Sequence, residues 1–213
     1  MPVSRFHWER AFWRTGYHLV AGVDEVGRGA LAGPLVAAAV IFEPATIDRR
    51  SHREAIERCV RDSKTMTRDT REASLCVIET CASSIGIGMV ECKELDAVGM
   101  TAANRLAMER AVFALGVEPQ ALLLDAFTTD LGMPQVGLID GDAQCLSIAA
   151  ASIVAKVTRD RLMIALHETD CRYGLDQHVG YGTPAHLGAL RRHGPASFHR
   201  RSFRPVQECL NGR

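Results

Sequence analysis

Eight consecutive apolar residues, Leu35-Val-Ala-Ala-Ala-Val-Ile-Phe42, follow directly on Ala32-Gly33-Pro34. A strand without polar alternation has no face to give to water, so both of its faces must be covered by other elements. That requirement points to a sheet held between layers of helices. The remaining pattern agrees, with further strands expected at His18–Val23, Ile85–Glu91, Ala121–Asp125 and Gln135–Ile139. The Gly-Ile-Gly of residues 86–88 weakens the third of these as an isolated strand. Helical spacing predicts helices over Arg68–Ser83, Thr101–Leu115, Leu146–His167 and Pro184–His193. Thr183 before Pro184 is a start signal for the last of them, and Gly194-Pro195 a stop. At 213 residues the chain fits one large domain or one with a small appendage. We divide it as 1–170 and a helical extension over 171–213, with no linker between them. The segment Trp8–Tyr17 is amphipathic and is expected to pack on the sheet.

Two of the apolar runs end in acid. Leu19–Val23 leads into Asp24-Glu25-Val26-Gly27-Arg28-Gly29, and Leu122-Leu-Leu124 leads into Asp125. Either ending alone could be a turn. Two in one chain suggest strand tips that converge if the strands are adjacent and parallel. Asp142 stands just before the helix that starts at Leu146, where it is either a capping acid or a further ligand of the same site. On that helix Ser152, Lys156 and Arg159 fall on a face expected to meet solvent and to pair locally with Asp160. Four carboxylates without clustered His or Cys suit hard, oxygen-seeking Mg²⁺ or Mn²⁺ rather than zinc. Two such ions are a recurrent solution for in-line phosphodiester cleavage.

The rest of the composition excludes other classes. The seven cysteines are odd in number and contain no Cys-x-x-Cys pair, which speaks against a disulfide framework and a zinc site and fits a reducing cytoplasm. No apolar run reaches membrane-spanning length, and residues 1–17 do not read as a signal peptide. The net charge of zero hides an asymmetry: residues 1–150 hold 15 Lys+Arg against 20 Asp+Glu, and residues 151–213 hold 10 against 5. The basic side clusters in Arg191-Arg192-His193 and in His199-Arg200-Arg201-Ser202-Phe203-Arg204. A basic patch near an acidic metal site is what a phosphodiester substrate needs. The Gly27-Arg28-Gly29 segment lacks the spacing of a phosphate-binding loop.

Seven segments taken in order resemble bacterial ribonuclease HII. They are residues 21–34, Arg61-Asp-Ser-Lys64, Leu122–Asp125, Gly141-Asp-Ala143, residues 148–160, Gly180-Tyr-Gly-Thr183 and His199-Arg-Arg-Ser-Phe203. The resemblance implies an α/β, RNase H-like fold with a mixed central sheet flanked by helices, plus a small C-terminal helical part that helps to clamp a duplex. It implies endonucleolytic cleavage of the RNA strand of RNA–DNA hybrids, and cleavage 5′ of single ribonucleotides embedded in duplex DNA, leaving 3′-hydroxyl and 5′-phosphate ends. Asp24, Glu25, Asp125 and Asp142 would be the metal-binding, catalytic carboxylates. Gly27, Arg28 and Gly29 would sense the ribose 2′-hydroxyl, the group that separates RNA from DNA, and Tyr181 would pack against the following sugar. Lys64, Arg28 and the arginines near residue 200 would contact phosphates. A monomeric cytoplasmic enzyme is expected, without a membrane partner.

The chain also departs from the family pattern. Asp140 stands where lysine is common before Gly-Asp, Gln144 replaces a usual lysine, and Val179 occupies the lysine position of His-Lys-Gly-Tyr. Fewer basic residues beside an acidic site should weaken phosphate binding and leave the four carboxylates untouched. Another nuclease of the same broad fold, or a non-catalytic hybrid-binding module, is the alternative reading. The first fits poorly with the Gly-Arg-Gly beside the acids, and the second with the presence of all four carboxylates.

Overall fold

The computed structural model of the chain describes residues 6–60, 63 and 66–212. The strands are β1 (Val20–Val26), β2 (Leu35–Ile41), β3 (Ser84–Val90), β4 (Ala121–Asp125) and β5 (Gln135–Leu138). The helices of the first half are α1 (His7–Arg14), α2 (Pro44–Asp48), α3 (Arg50–Cys59), α4 (Arg68–Cys81), α5 (Cys92–Val98) and α6 (Met100–Phe113). The second half adds α7 (Gly141–Gln144), α8 (Leu146–Thr169), α9 (Leu175–His178), α10 (Pro184–His193) and α11 (Arg204–Leu210). The strands form one mixed sheet in the order β3-β2-β1-β4-β5. β1 runs antiparallel to β2 and parallel to β4; β2–β3 is antiparallel and β4–β5 parallel.

All seven residues of β2 are buried, as its unbroken apolar run requires. Alternate residues serve two cores. Val36, Ala38 and Val40 pack against residues of α4 and α8, whereas Leu35, Ala37, Ala39 and Ile41 pack against residues of α6. Glycine sets how closely the helices approach. A Cβ added at Gly22 of β1 would lie 2.2 Å from the main-chain carbon of Ser147 and 2.4 Å from the nitrogen of Ile148. On β3, a Cβ at Gly86 or Gly88 would come within 2.1 Å of the carbonyl oxygens of Ala111 and Ala107. The glycines that weaken β3 in isolation are therefore what allow α6 to lie on it.

The first strand departs from its expected bounds. It continues through Asp24, Glu25 and Val26 because these pair with Ala38, Ala37 and Val36 of β2. The two acids are ladder residues, not residues beyond a strand tip. At the other end, the His18 and Leu19 N–H groups are taken up by the Gln120 side chain, so the strand begins later.

The N-terminal α1 does pack on the sheet, with Trp8, Phe12, Trp13 and Tyr17 against Val20, Ala121, Leu123 and Ile148. It also brings Glu9 under the start of α8, which has no acid in its first turn and no side-chain cap of its own. Glu9 Oε1 accepts from the Ser147 N–H at 2.8 Å and from the Cys145 thiol at 3.1 Å. Burial raises the pKa of this carboxyl against the lowering effect of those bonds. The C-terminal segment packs through Tyr173 and Leu175 on Ala32 and Met163, and through Leu190 and Val206 on Leu31.

Candidate active site

Parallel register brings two of the acids together. Val20 to Val23 align with Ala121 to Leu124, so one further step sets Asp24 beside Asp125. By the period of two along a strand both share the face of Val20, Ala121 and Leu123, the face covered by α1 and α8. Asp24 Oδ1 accepts the Glu25 N–H at 2.7 Å, and the buried Ser152 of α8, whose hydroxyl lies 2.9 Å from that of Ser63, stands beside the same carboxylate and lowers its pKa. Asp125 Oδ1 accepts the Gly141 N–H at 2.7 Å. That bond ties the end of β4 to α7, where the buried Asp142 follows immediately.

The electrostatics are those of acids crowded together and withdrawn from water. Burial first, then the charges of Glu25 and Asp125, push the Asp24 carboxyl well above the usual aspartate range. Glu25 is raised by burial and by Asp125, with Arg28 partly offsetting both. Its Oε2 is buried and has no hydrogen-bond partner among the described residues.

Asp24, Glu25 and Asp125 line one cavity of about 340 Å³ together with Gly27, Arg28, Gly29 and Tyr181. Asp142, buried in α7, is not among the residues that line it. Lys64 lies outside the described residues. Among the described residues, no three acid, histidine or cysteine side chains already surround a common point. The carboxylates thus line a groove without closing a cage. Their donor set nonetheless fits Mg²⁺ or Mn²⁺, since it is all oxygen, electrostatically strained and carries the orphaned Glu25 oxygen.

The loop after β1 is built around Gly27, whose φ of +94° is open to glycine and costly for other residues. Its far side makes a β-bridge between Ala30 and Tyr181, and the Leu31 N–H donates to the Gly180 carbonyl at 2.8 Å. The Arg28 guanidinium lies 4.5 Å above the Phe127 ring and 3.4 Å from Glu25. Among the described residues three non-glycines have left-handed backbones: Ala126, Asp140 and Val179. Each adjoins the site, following Asp125, preceding Gly141-Asp142 and preceding Gly180-Tyr181. Such conformations cost about 1–3 kcal/mol and persist where the surroundings over-determine them. Asp140 itself is exposed, and Gln144 donates to the Ile139 carbonyl at 2.6 Å.

A chain of histidines holds the Tyr181 main chain. His199 Nδ1 accepts the Ala196 N–H at 3.0 Å, so its Nε2 carries the proton and donates to His186 Nε2 at 3.1 Å. His186 must then donate from Nδ1 to the Tyr181 carbonyl, 2.9 Å away. Burial, then the charge of His186, depresses His199 to about 4.

Several expectations from the sequence are corrected here. Arg159, expected at the surface, is fully buried, and so is Arg200, expected on phosphate. Arg200 donates to carbonyl oxygens of Gly27, Arg28 and Gly33 and has no outward-facing fork to offer a duplex. Ser152 is buried beside Asp24 rather than exposed. Lys156 does pair with Asp160, at 2.7 Å, but it also lines the acidic cavity, as do Ser152 and Ser63. The serines carry no motif of their own. The four-residue spacing of Ser152 and Lys156 on α8 was the available signal, and only the position of α8 over β1 gives it meaning.

Comparison with known proteins bears on the family and the fold. A family model described as Ribonuclease HII matches residues 21–206. The chain is 48% identical over 203 residues to the ribonuclease HII of Geobacillus thermodenitrificans, covering 95% of this chain and 75% of that protein. It is 46% identical over 204 residues to that of Chloroflexus aggregans, covering 95% and 94%. The crystal structure of ribonuclease H2 from Pyrococcus horikoshii OT3 superposes with a TM-score of 0.75 at 25% identity, covering 91% of this chain and 97% of that one. The mixed sheet, the acids gathered at the β1–β4 junction and these matches lead to one conclusion: the chain belongs to the ribonuclease HII family, metal-dependent endonucleases of the ribonuclease H type that act on RNA–DNA hybrids.

Proposed function

We propose that the enzyme cleaves 5′ of ribonucleotides in duplex nucleic acid, including a single ribonucleotide embedded in DNA, and leaves 3′-hydroxyl and 5′-phosphate ends. The observation that carries this reading is that three carboxylates, the Gly27–Gly29 main chain and Tyr181 line one cavity. Chemistry and ribose recognition then act on adjacent atoms of one substrate.

Asp24, Glu25, Asp125 and Asp142 would hold two divalent cations. When bound there, Mg²⁺ or Mn²⁺ supplies an activated water and neutralises charge at the leaving oxygen. The protein's own part is positioning. Ser152 and the Glu25 N–H orient Asp24, and the Gly141 N–H orients Asp125. Gly29, exposed beside Tyr181, would approach the sugar without a Cβ in the way, so main-chain groups of the 27–29 loop would meet the 2′-hydroxyl. Tyr181 stacks on the next sugar. Lys156 faces the same cavity with its charge shared with Asp160. The exposed Arg191, Arg192, Arg201 and Arg204 would follow the phosphate backbone without reading sequence.

The test is cleavage of three end-labelled duplexes: one with a single ribonucleotide, one with a run of ribonucleotides, and one all DNA, each with Mg²⁺ or Mn²⁺. The expected result is metal-dependent cleavage of the first two, with product ends as stated. Equal cleavage of the all-DNA duplex, or none of the ribose-containing ones with either metal, rules the reading out.

A further inference from the structure

Among the described residues the two largest fully buried side chains are arginines, Arg159 and Arg200. Among the described residues neither is paired with a carboxylate. Arg159 donates to the carbonyls of Pro34 at 3.0 Å, Ala32 at 2.9 Å and Val179 at 2.8 Å. Arg200 donates to Gly27 at 2.6 Å, to Arg28 at 3.1 Å, and twice to Gly33 at 2.9 and 3.1 Å. Burying two guanidinia side by side without counter-ions is costly, and a site that needed only volume would be filled more cheaply by leucine or methionine.

What a guanidinium adds is a rigid planar fork that fixes the direction of several carbonyls at once. In a trans peptide the carbonyl of one residue and the N–H of the next point in opposite directions. Turning the Gly27 and Arg28 carbonyls inward to Arg200 therefore turns the Arg28 and Gly29 N–H groups outward. Both residues are exposed, and both line the acidic cavity. Arg159 works on the other side of the same junction. Its Nε stands 2.2 Å from where a Cβ on Gly27 would be, and its guanidinium lies 5.6 Å from the centre of the Tyr181 ring. It also binds the carbonyl of Val179, a β-branched residue at φ +44°, where such residues rarely stay unaided.

We propose that Arg159 and Arg200 are positioning residues for ribose recognition: they aim the Arg28 and Gly29 N–H groups at the sugar and tie that loop to the Tyr181 loop. The inference rests on the ribonuclease reading above, and the experiment separates the two. Binding is measured in an Asp125→Asn background, which suppresses turnover, for a duplex with one ribonucleotide and for its all-DNA counterpart. The parent should prefer the ribonucleotide duplex. Arg200→Met should reduce that preference at least tenfold while affinity for the all-DNA duplex changes less than twofold. Arg200→Lys, which keeps the charge without the fork, should behave like Arg200→Met, and Arg159→Lys should show a partial loss. If Arg200→Met does not fold, Arg200→Lys carries the same test. A purely structural role would weaken both duplexes together or neither. A variant that folds and keeps the full ribose preference overturns the inference alone, and a parent without any preference overturns the ribonuclease reading and this inference with it.

Discussion

Replacing Gly22 by alanine should loosen the whole α8 side of the molecule, although it adds one methyl group to an ordinary strand position. The added Cβ would sit 2.2 Å from the Ser147 carbon and 2.4 Å from the Ile148 nitrogen, at least 1 Å short of ordinary contact at 3.4–4 Å. Both obstacles are main-chain atoms, so no rotamer change relieves the clash, and the start of α8 must move off β1. Overpacking of this kind costs about 1–3 kcal/mol. For a chain of this size each kcal/mol moves the melting temperature by about 2–4 °C, so a drop of roughly 2–12 °C is expected. The movement also draws Ser152 away from Asp24 and Ser147 away from Glu9. Activity should accordingly fall even below the melting transition. Gly188 of α10 is the matched control, because nothing lies within 4 Å of its added Cβ. There the same substitution replaces glycine in a helix and should stabilise by up to about 1 kcal/mol. Thermal unfolding of the two variants decides the matter. If Gly22→Ala melts at the parent's temperature, the close strand–helix contact does not set the position of α8.

Three further outcomes follow from buried ionisable groups. Asp24 and Glu25 have raised pKa values in the folded state, so each ionises at a cost to stability that is absent below its unfolded pKa near 4 and grows as pH rises through the folded value. Asp24→Asn should thus melt above the metal-free parent, by a margin that widens with pH, and should lose most of the stabilisation that Mg²⁺ gives the parent; melting curves with EDTA and with Mg²⁺ between pH 5 and pH 8 check this. His199 has the opposite sign, since its depressed pKa leaves its stabilising contribution intact above about 6.5 and removes it as pH falls towards about 4. A loss of roughly 3 kcal/mol over that interval is expected, and denaturant unfolding of His199→Gln should show a visibly flatter acid limb. Glu9→Ala removes the acceptor for the Ser147 N–H and should cost about 1–2 kcal/mol, whereas Glu9→Gln keeps an acceptor without the buried charge and should be at least as stable as the parent in urea titration.

Much of the architecture is legible in the sequence. The unbroken run at 35–42 demanded cover on both faces, and β2 is buried at every position between α4, α8 and α6. Thr183-Pro184 and Gly194 bounded α10 as observed, because capping depends on neighbouring residues alone. The acids were legible only as a pair of acid-ended apolar runs, since either ending alone could be a turn. Other features depended on register and on distance. Asp24 and Glu25 lie inside the ladder because β2, which begins nine residues after Val26, pairs back on them. Asp24 meets Asp125 because β1 and β4 are parallel and in step, a relation between segments about a hundred residues apart. Arg159 and Arg200 were the least legible of all. A buried arginine paired with an acid leaves a second charge to find in the sequence, but these two are held by carbonyls of Gly27, Arg28, Ala32, Gly33, Pro34 and Val179. Every residue has a carbonyl, so its use as a partner leaves no mark on residue type. Apolar pattern and acid identity therefore determined the sheet and the acids it carries, while the folded chain alone decided which charged side chains line the cavity and which are buried against the carbonyls of its loops.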